Sequence, residues 1–175
     1  MKEPNKYSIL TENQYDYDTI ESILNQSFGK SRVKRTVYKF RFGNPVNDLC
    51  LVLKSHDKET KTSKILASIR YWPILCSDLK GLLLGPLAVQ KELQGFGYGK
   101  KLVSHSLVVA KNQGWNFCFV SGEFNYFKQF GFNKVPVKNL ILPGYIEPER
   151  ILIKYFENSI NLKLGNPPWK ITAIE

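Results

Sequence analysis

Residues 94–101, QGFGYGKK, set three glycines in five positions ahead of two lysines and follow directly on the apolar run LLLGPLAV at 82–89. Glycine reaches backbone conformations closed to other residues and leaves room for a ligand beside the chain. Between a strand and a helix, such a loop offers an anion the unpaired N–H groups and the positive dipole end of that helix. Two well-known phosphate loops fail here on spacing. A GxxxxGK[ST] loop needs glycine at 94 and a hydroxyl at 101, where the chain has Gln94 and Lys101. A GxGxxG fingerprint needs glycine at 100 or at 102 according to where it starts, and the chain has Lys100 and Leu102.

What remains is Gln94-x-x-Gly97-x-Gly99, preceded by Leu87-Ala88-Val89 and followed by an amphipathic pattern. This arrangement resembles the GNAT superfamily of acyl-CoA-dependent N-acetyltransferases, whose signature is Q/R-x-x-G-x-G/A between a strand and a helix. YFKQFGF at 126–132 resembles the family's second landmark, an aromatic residue followed by Gly-Phe. ASIRYWPI at 67–74, ahead of LGPLAV at 84–89, is similar to the YhbS-like bacterial branch. The likeness is specific from about Leu66 to Phe132. It implies an α+β GNAT fold, a mixed and mostly antiparallel sheet with a central V-shaped splay and flanking helices, as one domain over residues 1–175.

The resemblance also implies chemistry. Acetyl-CoA would be the co-substrate, with no metal. Its pyrophosphate would rest on the loop from Gln94 through Gly95, Phe96, Gly97, Tyr98 and Gly99 to Lys100, with Lys91 and Lys101 adding charge at the rim. Its pantetheine arm would lie along Leu87, Ala88 and Val89, the N–H of Leu87 polarising the acetyl carbonyl. Asn125 would bond the pantetheine amides or else cap the short helix it begins. A primary amine, on a small molecule or a peptide, would attack the thioester directly within a ternary complex, leaving two proton transfers to be handled. The tyrosine that the family often places four residues before the glycine of Gly-Phe is replaced by Phe127, so the adjacent Tyr126 is the candidate acid. Glu123 is the candidate base, since no carboxylate lies on the strand at 82–89. A CoA-binding module with little turnover is the alternative reading.

Several elements must position these residues. YSIL at 7–10 reads as a strand, and Ile20, Ile23, Leu24 and Phe28 recur at helical spacing between an Asp18 N-cap and Gly29. Val33, Val37 and Phe40 suit a second helix over the basic stretch at 30–45, stopped by Gly43 and Pro45, with its basic residues as a solvated face. Residues 48–55 and 64–74 read as an antiparallel pair joined by a polar hairpin loop at 56–63. The run at 82–89 is a buried strand with a bulge at Gly85-Pro86. A helix with Leu102, Val103, Ser106, Leu107 and Ala110 inward and His105 outward ends at Gly114. A strand at 115–120, a short helix at 124–130 and strand-like pieces at 135–142 and 150–156 complete the pattern.

Composition bounds the setting. A chain of 175 residues with 43% apolar and 13% aromatic residues can build one core. The N-terminus shows no secretory pattern and the longest apolar run is too short to span a bilayer, so a cytoplasmic protein without a membrane partner is expected. Cys50, Cys76 and Cys118 stand singly in apolar segments, which suits buried free thiols. The net charge of +10 favours anionic partners, a polyphosphate cofactor ahead of nucleic acid. A third reading, a nucleic-acid-binding protein, rests on that charge and the basic stretch alone. The oligomeric state is open, and a dimer is compatible with the sequence.

Overall fold

The computed structural model describes residues 7–56 and 62–174. The chain runs β1 (Tyr7–Thr11), α1 (Tyr17–Phe28), β2 (Leu51–His56), β3 (Ser63–Cys76), β4 (Leu79–Val89) and α2 (Tyr98–Asn112). It continues through β5 (Phe117–Ser121), α3 (Phe124–Phe127), β6 (Asn133–Lys134), β7 (Leu140–Ile141), β8 (Ile151–Tyr155), α4 (Ile160–Lys163) and β9 (Trp169–Ala173). The sheet has the order β1-β2-β3-β4-β5-β8-β6, with β9 on the far end of β3 and β7 beside β9. Its pairings are antiparallel except β4 with β5 and β7 with β9.

Alternation along the strands divides the core between two faces. Leu51, Leu53, Ala67, Ile69 and Tyr71 pack with Leu102, Val103 and Leu107 of α2. Val52, Ile65 and Ala88 meet Ile20, Ile23 and Leu24 of α1 on the other face. A buried hydroxyl fixes α2 to the sheet: the Ser106 Oγ lies 2.7 Å from the Leu102 carbonyl oxygen and 2.7 Å from the Tyr71 hydroxyl. Tyr71 is thus a core residue. Cutting Leu102, fully buried, back to alanine would cost about 2–5 kcal/mol. The three cysteines are buried and free, and burial raises the Cys50 thiol to about 12 and the Cys76 thiol to about 11.

Several expectations need correction. Residues 30–45 form no α-helix: two 3-10 turns, Lys30–Lys34 and Thr36–Phe40, are separated by an extended Arg35. The helical spacing misled because Val33 is exposed, while Arg32, assigned to the wet face, is buried and donates to Glu21 and Asn25. Asp18 lies inside the first turn of α1, whose cap position is Asp16. The stretch 135–142 holds only β7 and a 3-10 turn, and β9 is an element the pattern did not reveal. Part of the loop at 56–63 falls outside the described residues.

The sheet opens where the sequence suggested. β4 and β5 pair only at Leu82 with Cys118 and at Leu83 with Phe119. Beyond these, β4 runs on to Val89 and β5 to Ser121 without a shared register, which is the V-shaped splay. Gly85 and Pro86 stand opposite the single residue Arg70 in β3, a bulge that bends β4 away from β5. The mixed, mostly antiparallel sheet and its flanking helices form an α+β fold.

Candidate active site

The edge of β4 inside the splay presents peptide groups that β3 does not take up. Gln90 N–H donates to the Leu66 carbonyl at 2.9 Å, so residues 66 and 90 are a hydrogen-bonded pair of the antiparallel ladder. Such pairs alternate with pairs whose N–H and C=O point away from the partner strand. Along the register Ala67–Val89, Ser68–Ala88, Ile69–Leu87, the peptide groups of Leu87 and Val89 therefore turn from β3 toward the gap left by β5. An extended amide-bearing ligand can add to this edge as a further strand.

The loop beyond β4 ends at a helix start. Gly95 has φ +91° and Gly97 φ +82°, and a Cβ on either would meet open space. Gly97 caps α2 in the left-handed conformation, and the first bond of the helix runs from Lys101 N–H to the Gly97 carbonyl at 3.0 Å. The N–H groups of Gly99 and Lys100 precede that bond, in the first turn where helix geometry supplies no intrahelical acceptor, which makes this end of α2 suited to phosphate. Gly99 has a different reason to be glycine: a Cβ there would stand 2.8 Å from the Tyr126 hydroxyl and 3.4 Å from Val89 Cγ2. Its missing side chain is space for Tyr126 rather than for an anion.

Edge and loop border one cavity of about 470 Å³, lined by Leu87, Ala88, Val89, residues 93–100 and Tyr126, with Ser27 and Phe28 from the end of α1. Lys100 lines it, whereas the Lys101 ammonium bonds the Tyr7 hydroxyl and stands 4.2 Å from that ring's centroid. Gln94 Nε2 comes to 3.5 Å from the Val89 carbonyl oxygen and ties the loop to the strand end. Phe96 stacks on Tyr98, whose own ring is buried. The ionisable side chains lining the cavity are those of Tyr98, Lys100 and Tyr126.

Tyr126 and Phe127 divide their roles cleanly. Phe127 is buried, its ring occupying the space a side chain on Gly122 would need and packing edge-on to Phe132 at 5.5 Å. Tyr126 faces the cavity, and partial burial raises its phenol above the ordinary tyrosine range. The other two sequence candidates do not reach this space. Glu123 is exposed and paired with Arg150, and Asn125 is exposed in the first turn of α3, whose cap position is Glu123. Asn125 is therefore not the helix cap. A residue the sequence reading passed over, Arg41, comes to the splay beside Gly85. Among the described residues no group of three or more His, Cys, Asp or Glu side chains is placed to hold a metal, and no helix is long and apolar enough to cross a membrane.

No protein-family model matches the sequence, and no curated protein matches it. Solved structures do match. The GNAT family N-acetyltransferase YhbS from Escherichia coli, in complex with CoA, is 20% identical with a TM-score of 0.71 over 100% of this chain and 94% of that one. A GNAT family acetyltransferase from Brucella melitensis, in complex with acetyl-CoA, is 22% identical with a TM-score of 0.57 over 86% of this chain and 96% of that one. Arabidopsis thaliana Naa50, in complex with the bisubstrate analogue CoA-Ac-MVNAL, is 14% identical with a TM-score of 0.58 over 85% and 97%. The chain has the GNAT fold.

Proposed function

We propose that the protein is an N-acetyltransferase that moves the acetyl group of acetyl-CoA to a primary amine by direct attack. One observation carries this reading: the β4 edge at Leu87 and Val89, turned away from β3, and the N-terminus of α2 border one cavity. An acyl-CoA needs both an amide-bearing arm held in extended form and a pyrophosphate held by N–H groups. The solved structures of this fold that carry CoA or acetyl-CoA support the same donor. Residues 95–100 would hold the pyrophosphate, and Leu87 and Val89 the arm. The Leu87 N–H would stabilise charge developing on the thioester oxygen.

In the step itself the amine nitrogen bonds to the carbonyl carbon and the C–S bond breaks. Tyr126, kept protonated by its raised pKa, gives its proton to the departing sulfur, and the amine releases a proton to solvent. No covalent enzyme intermediate is involved, which accords with three buried thiols held in the neutral form. The test is thiol release from acetyl-CoA with a panel of amino acids, polyamines, aminoglycosides and peptide N-termini, alongside calorimetric CoA binding. Turnover above hydrolysis is expected, and failure to bind CoA overturns the reading. A second reading, a CoA-binding module, is favoured by one feature: among the described residues no carboxylate or imidazole lines the cavity. CoA binding without turnover across the panel would establish that one instead.

A further inference from the structure

The segment between α1 and β2 brings to the splay a side chain that acetyl transfer, as described, leaves without a task. Arg41 follows Phe40, which is buried under the sheet face opposite α2. Its guanidinium carbon stands 3.9 Å from the centroid of the Tyr38 ring. Its Nη2 lies 3.2 Å from the point where a Cβ on Gly85 would stand, and the Leu87 amide nitrogen is 4.0 Å from that same point. No other atom comes within 4 Å of it outside the immediate chain. The Arg41 cation and the proposed oxyanion donor thus flank the same side of Gly85 at the fork.

Arg41 Nε and Nη1 are buried and have no hydrogen-bond partner among the described residues. Burial lowers the pKa to about 10, against support from Tyr38, and the nearby Arg32 and Arg70 lower it further. The group is still a cation at neutral pH. Its two arginine neighbours show how this fold settles a guanidinium. Arg32 donates to Glu21 and Asn25, and Arg70 Nε donates to both oxygens of Glu12 at 3.0 and 2.9 Å. Buried donors in folded proteins are nearly always paired, and those of a charged group most of all. Arg41 departs from that rule at the one place where two substrates must meet.

We propose that Arg41 receives the carboxylate of the acceptor, which makes the acceptor an amino acid with its carboxylate a few bonds from the reacting amine. This rests on the acetyl-transfer reading and adds the substrate class to it. The closeness of Arg41 to the Leu87 amide fixes the compactness. Covalent geometry holds an α-amino nitrogen about 3 Å from its own carboxylate oxygens. An amine attacking a carbonyl polarised by Leu87 therefore carries such a carboxylate to the Arg41 side of Gly85. At the end of the planar guanidinium, Nη1, without a partner among the described residues, stands beside Nη2 on the Gly85 side, and the two together offer the end-on bidentate contact a carboxylate prefers. Trp72 Nε1 is a second buried donor with no partner among the described residues, on a ring packed in the same apolar cluster as Phe40. Polyamines and aminoglycosides bring no anion to this guanidinium.

The test compares each acid with its own amide. The CoA-saturated protein is titrated calorimetrically with glycine, leucine, methionine, phenylalanine and glutamate, and with the α-carboxamide of each. At least one acid should bind tenfold or more tightly than its amide, Arg41→Gln should erase that difference, and Arg41→Lys should keep part of it. Thiol release with the same pairs should show the preference mainly in KM. Equal binding of acids and amides, or no binding of either, overturns the inference. Turnover of spermidine or an aminoglycoside without any preference for acids overturns it while leaving acetyl transfer in place. Acid-selective binding without thiol release upholds the carboxylate site and overturns acetyl transfer. The wild-type pairs decide the matter even where Arg41→Gln fails to fold.

Discussion

Residues 93–99 and residues 29–50 border the same fork with different chemistry. The first segment presents peptide groups: two glycines at positive φ, the N-terminus of a helix, and a strand edge facing a gap. The second is built of short 3-10 turns and presents a side chain, the Arg41 guanidinium, against Tyr38. Main-chain donors recognise phosphate and amide, groups shared by every acyl-CoA, and they do so whatever side chains surround them. A lone guanidinium recognises one chemical group on one partner. The donor side of the fork is thus generic and robust, whereas the acceptor side places its selectivity in very few atoms.

The largest effect should come from breaking the generic side. Gly97→Glu puts a side chain and a negative charge at a left-handed position beside the α2 N-terminus. CoA affinity should fall at least 100-fold, about 2.7 kcal/mol, by calorimetry. Gly97→Ala separates backbone from charge: with open space around the Cβ, it carries only the strain of φ +82°, roughly 1–2 kcal/mol. Affinity for CoA within threefold of wild type in the glutamate variant would mean that the pyrophosphate lies elsewhere.

The geometry of that side of the fork was legible because glycine spacing is a statement about backbone conformation, and the proposed CoA site is built of backbone. Gly95 and Gly97 are glycine for the conformations they adopt, and the Gly85-Pro86 bulge likewise announced the splay. Where side chains decide, the sequence was less informative. Tyr126 and Phe127 are neighbours in a four-residue helix, and which one faces the cavity depends on Gly122 making room for the Phe127 ring. Arg41 stood in the sequence only as the end of a basic segment, with no role of its own. Its position against Gly85 is a meeting of residues 44 apart, and no periodicity within either segment encodes it. β9 was missed for a similar reason, since five residues gain their order by pairing with Ile74–Cys76 of β3.

Tyr126 is where the generic side contributes one side chain, and removing its hydroxyl sharpens the comparison at an intermediate scale. Tyr126→Phe should lower kcat by about 100-fold, in the range of a lost general acid, with CoA affinity changed less than twofold. The sign of the pH dependence follows from burial. A phenol whose pKa is raised stays protonated, and so remains competent as an acid, past the pH at which a free tyrosine ionises. The wild-type rate should therefore show no loss assignable to Tyr126 below about pH 10. A kcat unchanged in the phenylalanine variant would reduce Tyr126 to a packing partner of Gly99.

The smallest effect should come from Glu123→Gln, and its smallness is informative. A base must reach the attacking amine, yet the Glu123 carboxylate is turned to Arg150, and 72% of its side-chain surface is exposed. Exposed ion pairs of this kind contribute about 0–1 kcal/mol, because water screens the charges and two long side chains lose freedom. The variant should therefore lose less than twofold in kcat/KM, with stability lowered by under about 1 kcal/mol in chemical unfolding. A tenfold loss of kcat with unchanged stability would mean that the pair with Arg150 opens when substrates bind and that Glu123 swings to the fork. The donor side would then own a second working side chain, and the division between a peptide-built half and a side-chain-built half would fail.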